Sequence, residues 1–163
     1  MAEYWYIKPS YEDRTKIFLE KSPKPEISTD FQIDEHDFVN AGTASGEIKL
    51  SLKRLGVQSE ILRRVAIAAY EAEINIAAHS KGGKIIADIF PELIHIKLQD
   101  KGPGLKDIEQ CMEPGFSTAN ELVREMGFGA GLGLPNIKKN TDVLHIISEY
   151  GKSTFLEIMV FFE

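Results

Sequence analysis

Apolar runs are short throughout the chain, and nothing approaches the roughly 18 consecutive residues that a membrane-spanning helix needs, so no membrane partner is expected. Cysteine is nearly missing: Cys111 stands alone, which excludes an internal disulfide. The opening residues, Met1 to Tyr6, carry neither the basic segment nor the apolar run of a secretory signal. These absences make the cytoplasm the expected location. An excess of positive charge is lacking too, with 19 Lys and Arg against 25 Asp and Glu and a net charge of −6. General nucleic-acid binders neutralise phosphates with Lys and Arg, so no direct nucleic-acid partner is expected. The basic residues Arg54, Arg63, Arg64, Lys81, Lys84, Lys138 and Lys139 form no run and read as a solvated surface.

What remains is the composition of one folded domain: 163 residues, 43% of them hydrophobic, with no internal repeat and no linker. Thr15 to Leu19 alternates and reads as a strand, and Ile27 to Ile33 as the strand returning from it, so residues 1–36 are expected to form an N-terminal β extension. Asp37 to Leu55, ended by Gly56, reads as a helix. Ser59 is placed to cap a second helix running from Glu60 to about His79. Strands are expected at Ile85 to Phe90 and Leu93 to Leu98, a short helix at Asp107 to Met112, a helix after Gly133, and a closing hairpin of Val143 to Tyr150 and Thr154 to Phe162. Gly151-Lys152-Ser153-Thr154 has the look of a P-loop ending, but a hairpin turn explains it better. Tyr4, Trp5 and Tyr6 read as core or as a tucked edge strand, and His95 and His145 as structural. The order of elements points to an α/β (α+β) two-layer sandwich, with helices on one face of a mixed, mainly antiparallel sheet.

Three groups of residues carry chemistry. Glu71, Asn75 and His79 lie four apart on the second helix; each step of four turns by only about 40°, so they form one polar stripe in an apolar helix. A solvent-facing edge would give the same pattern. As a site, Asn75 offers the hard amide oxygen that Mg²⁺ accepts, and Glu71 can take a proton from an attacking hydroxyl. Glu73 points to another face and reads as solvated. Asp100, Gly102 and Gly104 follow a strand; the carboxylate there can accept from an exocyclic amine such as adenine's, although plain Asp-x-Gly turns are common. Gly127, Gly129, Gly131 and Gly133 alternate with Phe128, Ala130 and Leu132 and open a helix, presenting bare N–H groups to an anion. The spacing is not that of a dinucleotide-binding fingerprint.

In this order, the three groups resemble the N, G1 and G2 boxes of the GHKL superfamily over about residues 37–162, and the chain is most similar to its anti-sigma regulatory serine/threonine kinases. The resemblance implies the Bergerat-type ATP-binding fold for residues 37–163, with ATP and Mg²⁺ as ligands. It makes Glu71 the general base and Asn75 the metal ligand. His79, Asp100, Gly102 and Gly104 would line the nucleotide site, with Gly127, Gly129, Ala130, Gly131, Leu132 and Gly133 around the phosphates. The segment 113–126, with Ser117 and Thr118, would be a lid. A STAS-domain anti-sigma antagonist, a sigma factor or a similar regulator would be the partner, and the resemblance allows a homodimer. Kinases of this type commonly carry an arginine in the first helix, whereas Asp37 to Leu52 holds none and Arg54 falls at the far end. Two readings therefore stay open: a kinase, and a non-catalytic module whose protein binding is gated by nucleotide.

Overall fold

A computed structural model describes residues 1–113 and 133–163. The period-two signals produce six strands: β1 (Ala2–Ile7), β2 (Ile27–Ile33), β3 (Gly83–Ile89), β4 (Leu93–Asp100), β5 (Val143–Glu149) and β6 (Ser153–Phe161). They form one sheet in the order β1-β5-β6-β4-β3-β2, with every pairing antiparallel. In β4, Ile94, Ile96 and Leu98 are buried against the main core, while Leu93, His95, Lys97 and Gln99 alternate to the reverse face. The register places Ile96 opposite Ala87 on one side and Ile158 on the other, so the core face is aliphatic across three strands.

Helices α2 (Thr43–Arg54), α3 (Ser59–His79) and α5 (Gly133–Lys139) cover that face, giving the two-layer sandwich; α4 (Ile108–Cys111), capped by the Asp107 side chain, is one short turn. Leu52, Val65, Ala68 and Ile137 are fully enclosed between the layers. The alanines of α3 let its backbone sit close to the sheet, and removing a buried leucine from such a core costs about 2–5 kcal/mol. Among the described residues, no helix is long and apolar enough to cross a membrane.

The N-terminal expectation needs correction. Thr15 to Leu19 is not a strand but part of helix α1 (Glu12–Lys21). The buried residues are Thr15 and Phe18, three apart, whereas Ile17 and Leu19 face outward, so the alternation misled. Glu12 and Asp13 open the helix, and Ser22 closes it at φ 45 with its N–H on the Phe18 carbonyl. α1 lies on the reverse face of the sheet. There Phe18, Phe90, Leu93, Val143, Met159 and Phe161 form a second, smaller cluster. Strand β2 does form, but it pairs with β3 at the edge opposite β1. Tyr4 and Tyr6 pack beside the main core from edge strand β1, while Trp5 stays 42% exposed.

Helix α2 also starts later than expected. Asp37 uses its carboxylate to accept from the Asn40 backbone and side chain, which holds the chain in a turn. Gly42 then precedes the helix at φ +99. Ser59 is the first residue of α3, after an N-cap at Gln58.

Candidate functional site

Helix α3 sets the stage. From Glu71 to His79 the only side chains short of full burial are Glu71, Asn75 and His79; Ala72, Glu73, Ile74, Ile76, Ala77 and Ala78 are all buried. The stripe is therefore the one opening in this part of the helix. At about 1.5 Å per residue it runs some 12 Å along the axis. Burial pushes the Glu71 carboxyl above its ordinary range, and a hydrogen bond from the Asn136 side chain pulls against that shift. Burial also lowers the basicity of His79, favouring its neutral ring.

Helix α5 brings its first residue onto the stripe. A Cβ on Gly133 would stand 3.1 Å from Asn75 Oδ1 and 3.5 Å from Glu71 Oε2, so the backbone lies close to both side chains and a larger residue would crowd the Asn75 amide. Among the described residues, the amide of Asn75 makes no hydrogen bond.

Asp100 ends β4 directly opposite Gly83, four residues beyond His79, so it sits by the C-terminal end of α3. Its Oδ1 accepts from the N–H of Gly102 at 2.9 Å and of Thr154 at 2.8 Å. Burial raises its carboxyl, against the pull of those two bonds. Neither bond uses Oδ2. Gly102 (φ +98) and Gly104 (φ +77) have a local reason to be glycine: a Cβ at Gly102 would meet the Lys152 carbonyl oxygen at 2.5 Å, and one at Gly104 would meet that of Glu149. The loop is thus packed on the β5–β6 turn.

Of the expected site residues, the structure brings Gly133 against Glu71 and Asn75, puts His79 one turn further along the same stripe, and packs Gly102 and Gly104 against the β5–β6 turn. Ser117, Thr118, Gly127, Gly129, Ala130, Gly131 and Leu132 lie outside the described residues. Glu73, expected to be solvated, is only 2% exposed. Its Oε2 accepts from Ala44 N–H and its Oε1 from Ser45 N–H, so it caps α2 from α3. The spacing held the clue: Glu73 is four residues after Ala69 and three before Ile76, on the buried face. Arg64, expected to be solvated, instead binds the fully buried Asp142 at 2.8 Å, where Lys8 and the Phe161 N–H also converge. Asn136 was missed as well, although it follows Gly133 by three and so shares its helix face.

The donors fit a nucleotide with Mg²⁺: the Asn75 amide oxygen, a raised carboxyl beside it, and Asp100 Oδ2 at the other end, neither oxygen bonded among the described residues. Among the described residues, no group of three His, Cys, Asp or Glu could hold a metal by itself. That suits Mg²⁺, which takes few protein ligands and fills its shell with phosphates and water.

The chain is 32% identical over 109 residues to the serine/threonine-protein kinase RsbT of Bacillus subtilis, covering 64% of this chain and 76% of that one. It is 33% identical over 100 residues to the anti-sigma F factor of Caldanaerobacter subterraneus, covering 61% of this chain and 62% of that one. With the anti-sigma F factor of Clostridium perfringens it shares 29% over 121 residues, 71% of this chain and 83% of the other. No family model matches the chain.

Proposed function

The chain belongs to the family of anti-sigma regulatory serine/threonine kinases, and we propose that it moves the γ-phosphoryl group of ATP to a hydroxyl on a STAS-domain antagonist protein. One observation carries the reading: Glu71 and Asn75 stand one turn apart in the opening that α3 leaves between residues 71 and 79, with the backbone of Gly133 laid against both.

In this mechanism, Glu71 receives the proton of the acceptor hydroxyl as that oxygen bonds to phosphorus and ADP leaves. A carboxyl raised above its ordinary range is a better acceptor near neutral pH than an ordinary one. Asn75 Oδ1 would hold Mg²⁺, which supplies charge neutralisation to the phosphates when bound. Asp100 Oδ2 would read the exocyclic amine of adenine, beside a neutral His79. The segment 127–133 would present its N–H groups to the phosphates, and 113–126 would act as the lid.

A second reading keeps the nucleotide and drops the transfer: a binding module for a sigma factor or similar regulator. It is favoured by α2, where Arg54 is the only arginine and closes the helix far from its start, because phosphoryl transfer relies on positive charge at the developing anion.

The deciding experiment is transfer from radiolabelled ATP to a panel of STAS-domain proteins of the same organism, alongside thermal melts with ATP and Mg²⁺. Saturation at ~100 times the dissociation constant adds roughly 2.7 kcal/mol to the folded state. Label on a serine or threonine of a STAS protein, lost in Asn75→Ala together with the Mg²⁺-dependent stabilisation, supports the kinase. Stabilisation without transfer selects the binding module, and no shift with either nucleotide sinks both.

A further inference from the structure

The loop that follows β4 is carried by the β5–β6 hairpin, and much of its attachment is main chain. Gly102 and Gly104 lie against the carbonyls of Lys152 and Glu149, and Gly151 N–H donates to the Pro103 carbonyl. At the end of the loop a side chain takes over: Leu105 N–H donates to Ser148 Oγ at 2.7 Å. Ser148 is 1% exposed, so this bond is shielded from water. Its Oγ also lies 2.9 Å from Oγ1 of Thr154, its partner across the β5–β6 pairing. Thr154 N–H in turn donates to Asp100 Oδ1 at 2.8 Å, and Gly102 N–H donates to the same oxygen at 2.9 Å. The two ends of the loop, Asp100 and Leu105, are thus joined through Thr154 and Ser148.

The hydroxyl of Ser148 is fully engaged in this joint. It accepts from Leu105, and its own proton has two neighbours to go to, Thr154 Oγ1 at 2.9 Å or the Ser153 carbonyl at 3.3 Å. Both lie at the start of β6, so either choice ties β5 to the segment that holds Asp100. Between its ends the loop turns through Gly102 at φ +98 and Gly104 at φ +77, residues that add little restraint of their own. We propose that Ser148 is a positioning residue for adenine recognition: by tying the end of the loop to Thr154, it holds the Asp100 carboxylate at the angle from which Oδ2 accepts the exocyclic amine. Hydrogen bonds weaken steeply with misalignment. Losing the hydroxyl leaves Leu105 N–H without its acceptor and lets the loop shift, carrying Asp100 with it. The inference rests on the reading above that gives Asp100 the exocyclic amine of adenine.

The test is equilibrium binding to the full chain, with Mg²⁺ present, of ATP and of purine riboside triphosphate, which lacks the 6-amino group. Each variant is measured well below its melting temperature. Wild type should hold ATP about tenfold more tightly than the analogue, the size of one hydrogen bond to a carboxylate. In Ser148→Ala this preference should shrink to about threefold or less, through weaker binding of ATP, while the dissociation constant of the analogue stays near wild type. Ser148→Cys, which keeps a weaker acceptor in a similar volume, should fall between the two. A preference unchanged in Ser148→Ala, or equal weakening of both ligands, overturns the positioning role, because a hydroxyl that merely stabilises the fold does not tell the two bases apart. Asp100→Ala separates this failure from that of the underlying reading, since there the preference should vanish. If it survives in Asp100→Ala, or is absent in wild type, Asp100 does not read the amine and the inference falls with that reading. If it vanishes in Asp100→Ala and persists in Ser148→Ala, the present inference alone fails.

Discussion

Glu71 and Glu157 are the same residue type, each withdrawn from water, on opposite sides of one sheet, and their carboxyls shift in opposite directions. Burial pushes Glu71 up, against a single amide bond. At Glu157 burial also acts to raise the carboxyl, but His95 and His145 outweigh it with hydrogen bonds and charge, and hold it below the usual range. His95 Nε2 lies 2.7 Å from Glu157 Oε2, and His145 Nδ1 lies 2.6 Å from Oε1. His145 Nε2 in turn meets Glu3 at 2.8 Å. His145 thus stands between two carboxyl groups, one at each ring nitrogen. Trp5 stacks on that ring at a centroid distance of 3.6 Å. The lesson is one of saturation. Where both oxygens are committed, a buried carboxylate is a structural joint. Where commitment is partial, it is available for chemistry.

Substitutions can break this contrast. The largest expected effect is on activity: Glu71→Ala should lower phosphotransfer by about a hundred- to ten-thousand-fold, with a melting temperature near wild type. A variant that instead melts early would put Glu71 among the joints. Next comes Glu157→Ala, which strands two buried histidines and should cost about 3 kcal/mol in urea unfolding while transfer per folded molecule is kept. Glu73→Ala removes the acceptor for two N–H groups at the start of α2 and should cost about 1–2 kcal/mol, again with transfer kept.

The smallest effect is in the pH dependence of stability, and its sign separates the two glutamates. Glu71 has a raised carboxyl in the fold, so its ionised form opposes folding, and that penalty is present above the folded value. Glu71→Gln should therefore melt slightly higher than wild type at neutral pH. The advantage should fade as pH falls through the raised value towards the ordinary one. Glu157 has a lowered carboxyl, so its stabilisation is present above the ordinary value and is lost only as pH falls below that towards the folded one. The deficit of Glu157→Gln should thus persist through the window in which the Glu71→Gln advantage disappears. Melts from neutral to acid pH on both variants test this, and coincident windows would erase the contrast.

The sheet and the long helix were legible because their periodicities extend over many residues and match burial: two in β3 to β6, and about 3.6 in α3. Glu71, Asn75 and His79 were legible for the same reason, as polar residues at helical spacing among apolar ones. Short segments misled. In α1, Ile17 and Leu19 are apolar yet exposed, so a five-residue alternation imitated a strand. At the start of α2, the side chain of Asp37 competes with the helix, which hydrophobic spacing does not register. Partnerships across the chain were least legible: Arg64 with Asp142 and Glu73 with Ala44 join residues 78 and 29 positions apart, and a single sequence carries no signal for which distant carboxylate a charge will find.

The place of β1 has a consequence for how the molecule comes into being. Ala2 pairs with Ser148 and Ile7 with Val143, so β1 is synthesised well before the strand it pairs with. Closing so long a loop is entropically costly, and contacts of this span form late and slowly. Until β5 emerges, the aromatic strand Tyr4-Trp5-Tyr6 has no neighbour in the sheet. During synthesis, this is the interval in which the nascent chain is most exposed to association with other chains.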